Sequence, residues 1–205
     1  KTFAERKRMF ALPRSSWQDY DRAIMSPGGM IISRAEKLVT LTPQAQAAIG
    51  LDKAQATPFE IMTAILRAPV DLLWFGGIGT YIRGSLETDA EVGDRANDAI
   101  RIPAIEVGAR VIGEGANLGV TQKGRIEFGL NGGRCNSDAI DNSAGVNSSD
   151  VEVNIKIALA PAMRDDRLPR PKRNKLLASM TDEVGHLVLR NNYQQSLAIS
   201  LIEMQ

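Results

Sequence analysis

The stretch VDLLWFGGIGTYIRG, residues 70–84, carries the strongest indication of the fold. It opens with VDLLWF, an apolar run of strand length, which is typical of a central parallel strand covered on both faces. Glycines follow, as in the phosphate-binding turn of a dinucleotide-binding domain, where the spacing G-x-G-x-x-G is required. Counted from Gly77, that spacing holds at Gly79 and fails at Ile82. The stretch therefore predicts a strand, followed by a glycine turn that does not match the phosphate-binding fingerprint.

Helix and strand signals continue on both sides of this strand. Thr57-Pro58-Phe59-Glu60 is a capping box with proline at the first helical position, which predicts a helix over residues 58–67. Further along, the patterns predict a helix over 87–100, a strand over 109–113, a helix in GRIEFGL, an extended segment over 137–141 and helices from Ser149 onward. In those last helices the expected apolar side chains are Val153, Ile157, Leu176, Leu187 and Leu189. This alternation predicts an α/β fold with a parallel sheet.

The composition narrows the class of protein. The chain has 205 residues, 43% hydrophobic and 24% charged, which is typical of a globular chain of one large or two small domains. A net charge of +1 gives little support for a nucleic-acid partner. Cys135 and His186 are the only cysteine and histidine in the sequence, so a disulfide framework and a structural zinc site are both disfavoured and a reducing cytoplasm fits. We expect no membrane span, because no apolar run is long enough, and the start at Lys1 suggests a piece of a longer protein.

Trp17, Trp74, Cys135 and His186 are given no chemical role at this stage. We interpret the two tryptophans as packing residues and Cys135 as a small buried residue. His186 lies in DEVGHLVLR, where a packed or surface histidine is favoured over a ligand or a base.

Three glycine-containing or polar loops follow the predicted strands. They are FGGIGTY, GEGANLGVT and DNSAGVNSSD. Because ligands bind at the carboxyl ends of strands in an open parallel sheet, we expect these loops to be neighbours. The glycines of FGGIGT, followed by Thr80, are suited to lie along a cofactor, and the alternative is that they turn a tight corner.

Asn117 in GEGANLGVT is a candidate for binding a carboxamide such as nicotinamide. Its side chain offers a hydrogen-bond donor and an acceptor together, and the neighbouring glycines allow close approach of a flat ligand. The alternative is structural, with Asn117 satisfying backbone groups in its own turn and Thr121 capping the next helix.

Ser148, Ser149 and Asp150 precede the first of the predicted C-terminal helices. Unpaired N–H groups at a helix start, beside a serine hydroxyl, favour binding of a carboxylate. The alternative is a plain N-cap with Asp150 in the first helical turn, and Asp150 would also repel an anion.

Three long stretches resemble the large-subunit, NAD-specific glutamate dehydrogenases of bacteria. They are VDLLWFGGIGTYIRGSLETDAEVGDRANDAIRI, VIGEGANLGVTQKGRIEFGLNGGRCNSDAIDNSAGVNSSDVEVNIK and LPRSSWQDYD. The resemblance runs through nearly the whole chain. It implies the oxidative deamination of L-glutamate to 2-oxoglutarate and ammonium, with NAD as hydride acceptor.

The resemblance also implies roles for particular residues. Residues 114–117 match the E-G-A-N loop of the wider superfamily, in which the asparagine contacts the nicotinamide, although Leu118, Gly119 and Val120 depart from what usually follows. Asn142, Gly145, Val146, Ser149 and Glu152 fit the spacing N-A-G-G-V-x-x-S-x-x-E, in which the valine and serine contact the glutamate side chain. The expected cofactor-binding residues are Gly76, Gly77, Gly79, Thr80, Glu114, Gly115 and Asn117, and the expected substrate-binding residues are Val146 and Ser149.

The resemblance places the catalytic lysine and aspartate, and the phosphate turn, upstream of this sequence. We therefore expect the later part of a Rossmann-like NAD-binding domain in residues 1–148 and a helical segment returning toward the substrate domain in residues 149–205. The remainder of the polypeptide would complete the site, the isolated chain would be inactive, and the whole enzyme is expected to be a cytoplasmic homo-oligomer. Two alternatives stay open, a dehydrogenase of another amino acid and a non-catalytic regulatory or assembly module.

Overall fold

The computed structural model of the chain describes residues 1–204. The helices are α1 (Thr2–Phe10), α2 (Pro43–Ile49), α3 (Pro58–Arg67), α4 (Asp89–Val92), α5 (Gln122–Leu130), α6 (Asp138–Asp141), α7 (Ser143–Arg164), α8 (Arg170–Ser179) and α9 (Thr181–Glu203). The strands are β1 (Val39–Thr40), β2 (Gln55–Ala56), β3 (Leu72–Phe75), β4 (Ile82–Arg83), β5 (Ile102–Pro103), β6 (Val111–Glu114) and β7 (Arg134–Cys135). None of the helices between residues 1 and 204 combines the length and apolarity that a membrane crossing requires.

The strands form one small central sheet and two strand pairs. The three-stranded sheet has the order β3-β6-β7, and β6 runs parallel to β7 with Val111 opposite Arg134. β4 pairs in parallel with β5, and β1 pairs antiparallel with β2. The predicted α/β class with a parallel sheet is therefore confirmed.

The chain divides into two compact units. The first consists of Lys1–Leu73, Gly79–Ile112 and Val120–Cys135. The second consists of Trp74–Ile78, Gly113–Gly119 and the chain from Asn136 onward. The division expected after residue 148 stays a prediction, and α7 runs continuously through that position.

The first unit has an apolar core beneath β1 and β2. Its buried members are Val39, Leu41, Ala56 and Ile61, with Met30, Ile32, Ala45, Ile49 and Leu51 packed against them. The predicted capping box fixes the start of α3 beside this core, since the Thr57 Oγ1 accepts the Glu60 N–H at 3.2 Å and Glu60 Oε2 accepts the Thr57 N–H at 2.9 Å. The capping box is confirmed because both of its reciprocal hydrogen bonds are present.

The prediction that β3 is covered on both faces is wrong. Successive side chains of a strand point to opposite faces. Leu72 and Trp74 share one face and are 54% and 57% exposed, whereas Phe75 on the other face is buried. The apolar run therefore marks a strand correctly, but one of its faces is open and Trp74 is not enclosed by packing.

The predicted helix over residues 87–100 is also wrong in its length. α4 ends after Val92 because Gly93 adopts a left-handed conformation with φ of 78°. A short 3-10 turn over Arg95–Asn97 follows. The Asp94 side chain between these two elements accepts hydrogen bonds from Asn97 Nδ2 at 2.7 Å and from the Thr80 N–H at 2.8 Å. The break in the helix thus brings Asp94 to the backbone of Thr80.

The segment predicted to be extended over residues 137–141 is helical. The strand lies earlier, at β7, and Ser137 adopts an extended backbone from which α6 begins at Asp138. Asp138 accepts the N–H of Ala139 in the first turn, a local bond that favours a helix start over a strand.

The expected apolar face of the C-terminal helices is not enclosed. Each of the five predicted positions, Val153, Ile157, Leu176, Leu187 and Leu189, is between 39% and 66% exposed. The residue of α9 that is buried is instead Val188, at 4%. The helices were predicted correctly, but their packing face was assigned to the wrong side.

The side chain of Arg101 donates hydrogen bonds to four acceptors in the first unit. Its side chain has no solvent exposure. Nη1 donates to Asp89 at 2.8 Å and to Asp98 at 2.6 Å, Nε donates to the Thr80 carbonyl at 2.9 Å, and Nη2 donates to the Asp94 carbonyl at 2.6 Å. The hydrogen bond from Arg101 lowers the pKa of Asp89 below its ordinary value of 3.8. A buried guanidinium is tolerated because all of these acceptors surround it.

Replacement of this guanidinium tests its contribution to stability. Arg101→Met should lower the free energy of unfolding by about 3–5 kcal/mol, because a buried charge network is broken and two carbonyls lose their donor. Arg110→Met is the matched control, since Arg110 and its partner Asp71 are 83% and 91% exposed. The control should change stability by less than about 0.5 kcal/mol. Chemical denaturation measures both, and a loss below about 1 kcal/mol in Arg101→Met would contradict this account of Arg101.

The same variant should alter the dependence of stability on pH. A carboxylate with a lowered pKa stabilises the fold fully above its ordinary pKa, and this contribution disappears as the pH falls through the lowered value. The gap in unfolding free energy between the wild-type chain and Arg101→Met should therefore narrow as the pH is lowered below 3.8, the ordinary pKa of Asp89. Denaturation curves recorded between neutral and acidic pH check this direction.

Candidate functional site

Residues 114–119, the last residue of β6 and the loop that follows it, are held from within by the side chain of Glu114. Glu114 is completely buried, and its Oε2 accepts the Gly119 N–H at 2.8 Å. Leu118 adopts a left-handed backbone with φ of 64°, which non-glycine residues rarely occupy. The loop therefore has a defined and strained shape. A direct contact of Glu114 with a cofactor stays a prediction, since its carboxylate faces the loop interior.

Two carboxylates from α6 hold the same loop from outside. Asp141 Oδ2 accepts the Glu114 N–H at 2.9 Å, and Asp138 Oδ2 accepts the Leu118 N–H at 2.9 Å. The other oxygen of Asp141 accepts Asn136 Nδ2 at 3.0 Å. The first and the fifth residues of the loop are thus both attached to one short helix, with Asn117 between them.

Asn117 is exposed and bonds to the side chain of Asn142. Asn142 Nδ2 donates to Asn117 Oδ1 at 2.8 Å. The structural alternative, in which Asn117 satisfies backbone groups of its own turn, is therefore not what the structure shows. The other half of that alternative is confirmed, because Thr121 caps α5 by accepting the Gly124 N–H at 2.9 Å. With Oδ1 engaged, the free donor of Asn117 is Nδ2, which bonds to no residue in the described range 1–204.

The N-terminal part of α7 carries the predicted substrate residues. Asn142 is the N-cap of α7, and Val146 and Ser149 lie four and seven positions further on. This spacing places all three on one face of the helix. Val146 is half-buried and Ser149 is exposed. The loops GEGANLGVT and DNSAGVNSSD, predicted to be neighbours, are joined by the pair Asn117–Asn142.

The predicted helix N-terminus beside Ser149 is wrong. α7 begins at Ser143, so Ser148 and Ser149 lie inside the helix and their N–H groups are not the free ones of a helix start. Residues 143–146 form the first turn of α7, directly after its N-cap Asn142. Ser149 can thus offer its hydroxyl to a ligand, but not a helix terminus.

Because Gly145 has no Cβ, it leaves room for the side chain of Asn142. A Cβ on Gly145 would lie 2.6 Å from Asn142 Oδ1, closer than nonbonded atoms approach. The N-x-x-G-V pattern therefore requires glycine at this position for a steric reason.

The first two glycines of FGGIGTY lie in the second unit. Gly76 and Gly77 are exposed, and a Cβ at either position would meet open space. Just before them, the indole of Trp74 packs so closely on Gly115 that a Cβ there would overlap the ring. The end of β3 therefore contacts the loop that carries Asn117, as expected for neighbouring loops.

The other two predicted residues of that stretch lie in the first unit and are buried. Gly79 has φ of 143°, and a Cβ there would lie 2.6 Å from the Tyr81 hydroxyl. The N–H and carbonyl of Thr80 bond to Asp94 and Arg101. Gly79 thus turns a tight corner, which was the alternative to cofactor binding. A contact of Gly79 and Thr80 with a cofactor stays a prediction.

The residues given no chemical role differ in their surroundings. His186 is exposed on α9, so the surface alternative is confirmed. Trp17 is 62% exposed, and its ring centroid lies 6.3 Å from that of Tyr20. Cys135 is half-buried rather than enclosed, with Sγ 3.9 Å from the Arg125 carbonyl oxygen.

Sequence reasoning missed the two carboxylates of α6. Asp138 and Asp141 were assigned to an extended segment, where an i, i+3 spacing places side chains on opposite faces. Read as a helix start, Ser137 followed by Asp138 and Asp141 would have put both carboxylates on one helical face. The signal was present in the sequence, but the strand interpretation concealed it.

Comparisons with known proteins point to one family. Residues 1–202 match a family model described as bacterial NAD-glutamate dehydrogenase, catalytic domain. Three similar proteins are each named NAD-specific glutamate dehydrogenase. The one from Halomonas elongata is 52% identical over 203 residues, covering 99% of this chain and 13% of the relative. That from Pseudomonas aeruginosa is 52% identical over 202 residues, covering 98% and 12%, and that from Mycobacterium tuberculosis is 54% identical over 201 residues, covering 95% and 12%. The chain thus spans only 12% to 13% of the length of these relatives.

A methyl group on Gly145 tests how the pair Asn117–Asn142 is positioned. In Gly145→Ala the added methyl displaces Asn142 Oδ1, so we expect the Asn142 Nδ2–Asn117 Oδ1 distance to exceed about 3.5 Å, beyond a hydrogen bond. A crystal structure of the variant measures it. Gly185→Ala on α9, where a Cβ meets open space, is the control and should leave the pair at 2.8 Å. An unchanged distance in Gly145→Ala would contradict the steric role of this glycine.

Proposed function

The chain belongs to the bacterial NAD-glutamate dehydrogenase family, whose catalytic domain it matches, and on this premise we propose that it forms part of an enzyme that oxidises L-glutamate. In the proposed reaction, L-glutamate, NAD⁺ and water give 2-oxoglutarate, ammonium, NADH and a proton. Hydride acceptance is the chemistry that NAD supplies when it is bound. The residues of this chain contribute binding and orientation.

The observation that carries the proposal is the arrangement around α7. The side-chain amide of Asn117, the candidate for binding nicotinamide, is hydrogen-bonded to Asn142, the N-cap of α7. The helical face that begins at Asn142 continues to Val146 and Ser149. With a rise of 1.5 Å per residue, Ser149 lies roughly 10 Å along the helix from Asn142. A carboxamide donor and a carboxylate-binding hydroxyl therefore lie on a common path of a length suited to a nicotinamide followed by a small dicarboxylic substrate.

Asn117 has the chemistry to orient a nicotinamide. Because its Oδ1 accepts from Asn142, the group that remains for a ligand is the Nδ2 donor, which suits the carbonyl oxygen of a carboxamide. The open positions at Gly76 and Gly77 leave room for a ligand to approach the backbone closely. These features fit NAD as the cofactor that the names of the relatives indicate.

Val146 and Ser149 have the chemistry to hold the far end of glutamate. The Ser149 hydroxyl donates to a carboxylate, and Val146 offers an apolar surface to the methylene groups. A dehydrogenase of an apolar amino acid would give the Ser149 hydroxyl nothing to bond, which favours glutamate.

The remainder of the polypeptide completes the enzyme in this proposal. It supplies the catalytic lysine and aspartate that the resemblance implies, together with the phosphate turn of a Rossmann-like NAD-binding domain. We also propose that the whole enzyme is a homo-oligomer and is cytoplasmic, and the single cysteine of this chain fits a reducing compartment.

Substitution of two neighbouring serines tests the substrate assignment in the full-length enzyme. Ser149→Ala should raise the KM for glutamate roughly tenfold or more, because a hydrogen bond to a charged group is lost, and should leave the KM for NAD unchanged. Ser148→Ala is the matched control, since Ser148 is also exposed but points about 100° away around the helix. Steady-state kinetics of NADH formation measure both values.

An unchanged glutamate KM in Ser149→Ala would remove Ser149 from the pocket. A substrate panel on the same enzyme decides between the proposed function and a dehydrogenase of another amino acid. Faster turnover of leucine or phenylalanine than of glutamate would overturn the proposal.

A further inference from the structure

We propose that Asp138 and Asp141 are positioning residues, which hold the backbone of the 114–118 segment and thereby set where Asn117 presents its amide to the cofactor. The inference rests on the proposed function, since it concerns the same cofactor site. Neither carboxylate is assigned a chemical role by the family resemblance.

The first support is the placement of the two hydrogen bonds. Asp141 accepts the N–H of Glu114, where β6 ends, and Asp138 accepts the N–H of Leu118, the residue after Asn117. Both bonds are 2.9 Å long and both acceptors are carboxylates, so each bond is charge-assisted. Only three residues lie between Glu114 and Leu118, which leaves Asn117 little freedom to move relative to α6.

The second support is the strain that one of these bonds maintains. Leu118 has φ of 64° and a side chain that is 61% exposed, so no packing of that side chain explains the conformation. A left-handed backbone is unfavourable for leucine. The Asp138 carboxylate supplies a bond that is made only when the Leu118 N–H points toward α6.

The third support is that α6 also continues into the partner of Asn117. Asn142 follows Asp141 directly and donates to Asn117 Oδ1 at 2.8 Å. The stretch of five residues from Asp138 to Asn142 therefore makes three hydrogen bonds to the loop, at Glu114, Asn117 and Leu118. The backbone and the side chain of the Asn117 loop are positioned by the same element.

Removal of the Asp138 or Asp141 carboxylate should have a larger effect than its replacement by an amide. Asp138→Ala and Asp141→Ala remove the acceptor altogether. Asp138→Asn and Asp141→Asn keep one acceptor oxygen and lose the charge, so they should restore part of the effect. Asp182→Ala, an exposed carboxylate in the first turn of α9, is the control for loss of an acidic residue.

The experiment uses the full-length enzyme with two independent measurements. Hydrogen–deuterium exchange of the cofactor-free enzyme reports on residues 113–120, and NAD binding is measured by titration calorimetry. In the two alanine variants we expect roughly tenfold faster exchange in this segment and a weaker affinity for NAD with a lower kcat, while peptides from α5 and α9 exchange as in wild type. The asparagine variants should lie between, and Asp182→Ala should match wild type.

Each alternative result has a separate meaning. Unchanged exchange in 113–120 would overturn the proposed anchoring. Faster exchange with unaltered NAD affinity and kcat would overturn the positioning role and leave the proposed function intact. Faster exchange throughout the protein, in the asparagine variants as well, would show a general structural role and would also overturn the inference. A wild-type enzyme that fails to reduce NAD with glutamate would instead remove the proposed function itself.

Discussion

Three backbone N–H groups, at the end of β6 and in the turn that follows it, have carboxylates as acceptors, and leaving such a group without an acceptor costs about 1–3 kcal/mol where water is excluded. The Glu114 carboxylate accepts the Gly119 N–H, the Asp138 carboxylate accepts the Leu118 N–H, and the Asp141 carboxylate accepts the Glu114 N–H. This constraint fixes the loop in a shape that its own sequence does not favour, since Leu118 is left-handed. The placement of Asn117, and with it the candidate cofactor site, depends on these bonds.

The same constraint explains why the cofactor and substrate candidates share one region. α6 is only four residues long and α7 begins at Ser143, one residue beyond the N-cap Asn142. The helix that anchors the loop therefore leads directly into the helix that carries Val146 and Ser149. In the proposed function, orientation of a nicotinamide and recognition of a carboxylate depend on neighbouring parts of this chain segment, so small displacements of α6 would affect both ligands.

Local signals in the sequence predicted many of the helices and strands, whereas the burial of their side chains was harder to predict. The capping box at Thr57 acts within a few residues, so α3 was predictable. Burial could not be predicted in this way, because the exposure of Leu72 and Trp74 depends on which parts of the chain lie over β3. Asn117 and Ser149 are candidates from their local chemistry and Val146 from the family pattern, whereas the partners of Asp138 and Asp141 are backbone groups 20 or more residues away, which the helix-start pattern alone does not identify. The predicted helix over residues 87–100 is too long because Gly93, a residue type that commonly ends helices, lies inside an otherwise helical pattern.

The central claim is that Asn117, held by Asn142, orients the nicotinamide while the face of α7 receives the substrate. A structure of the full-length enzyme with NADH and 2-oxoglutarate bound tests it most directly. The account predicts Asn117 Nδ2 within about 3.2 Å of the carboxamide oxygen, with a carboxylate of 2-oxoglutarate at the Ser149 hydroxyl. A carboxamide bound elsewhere, with Asn117 still paired only to Asn142, would contradict it.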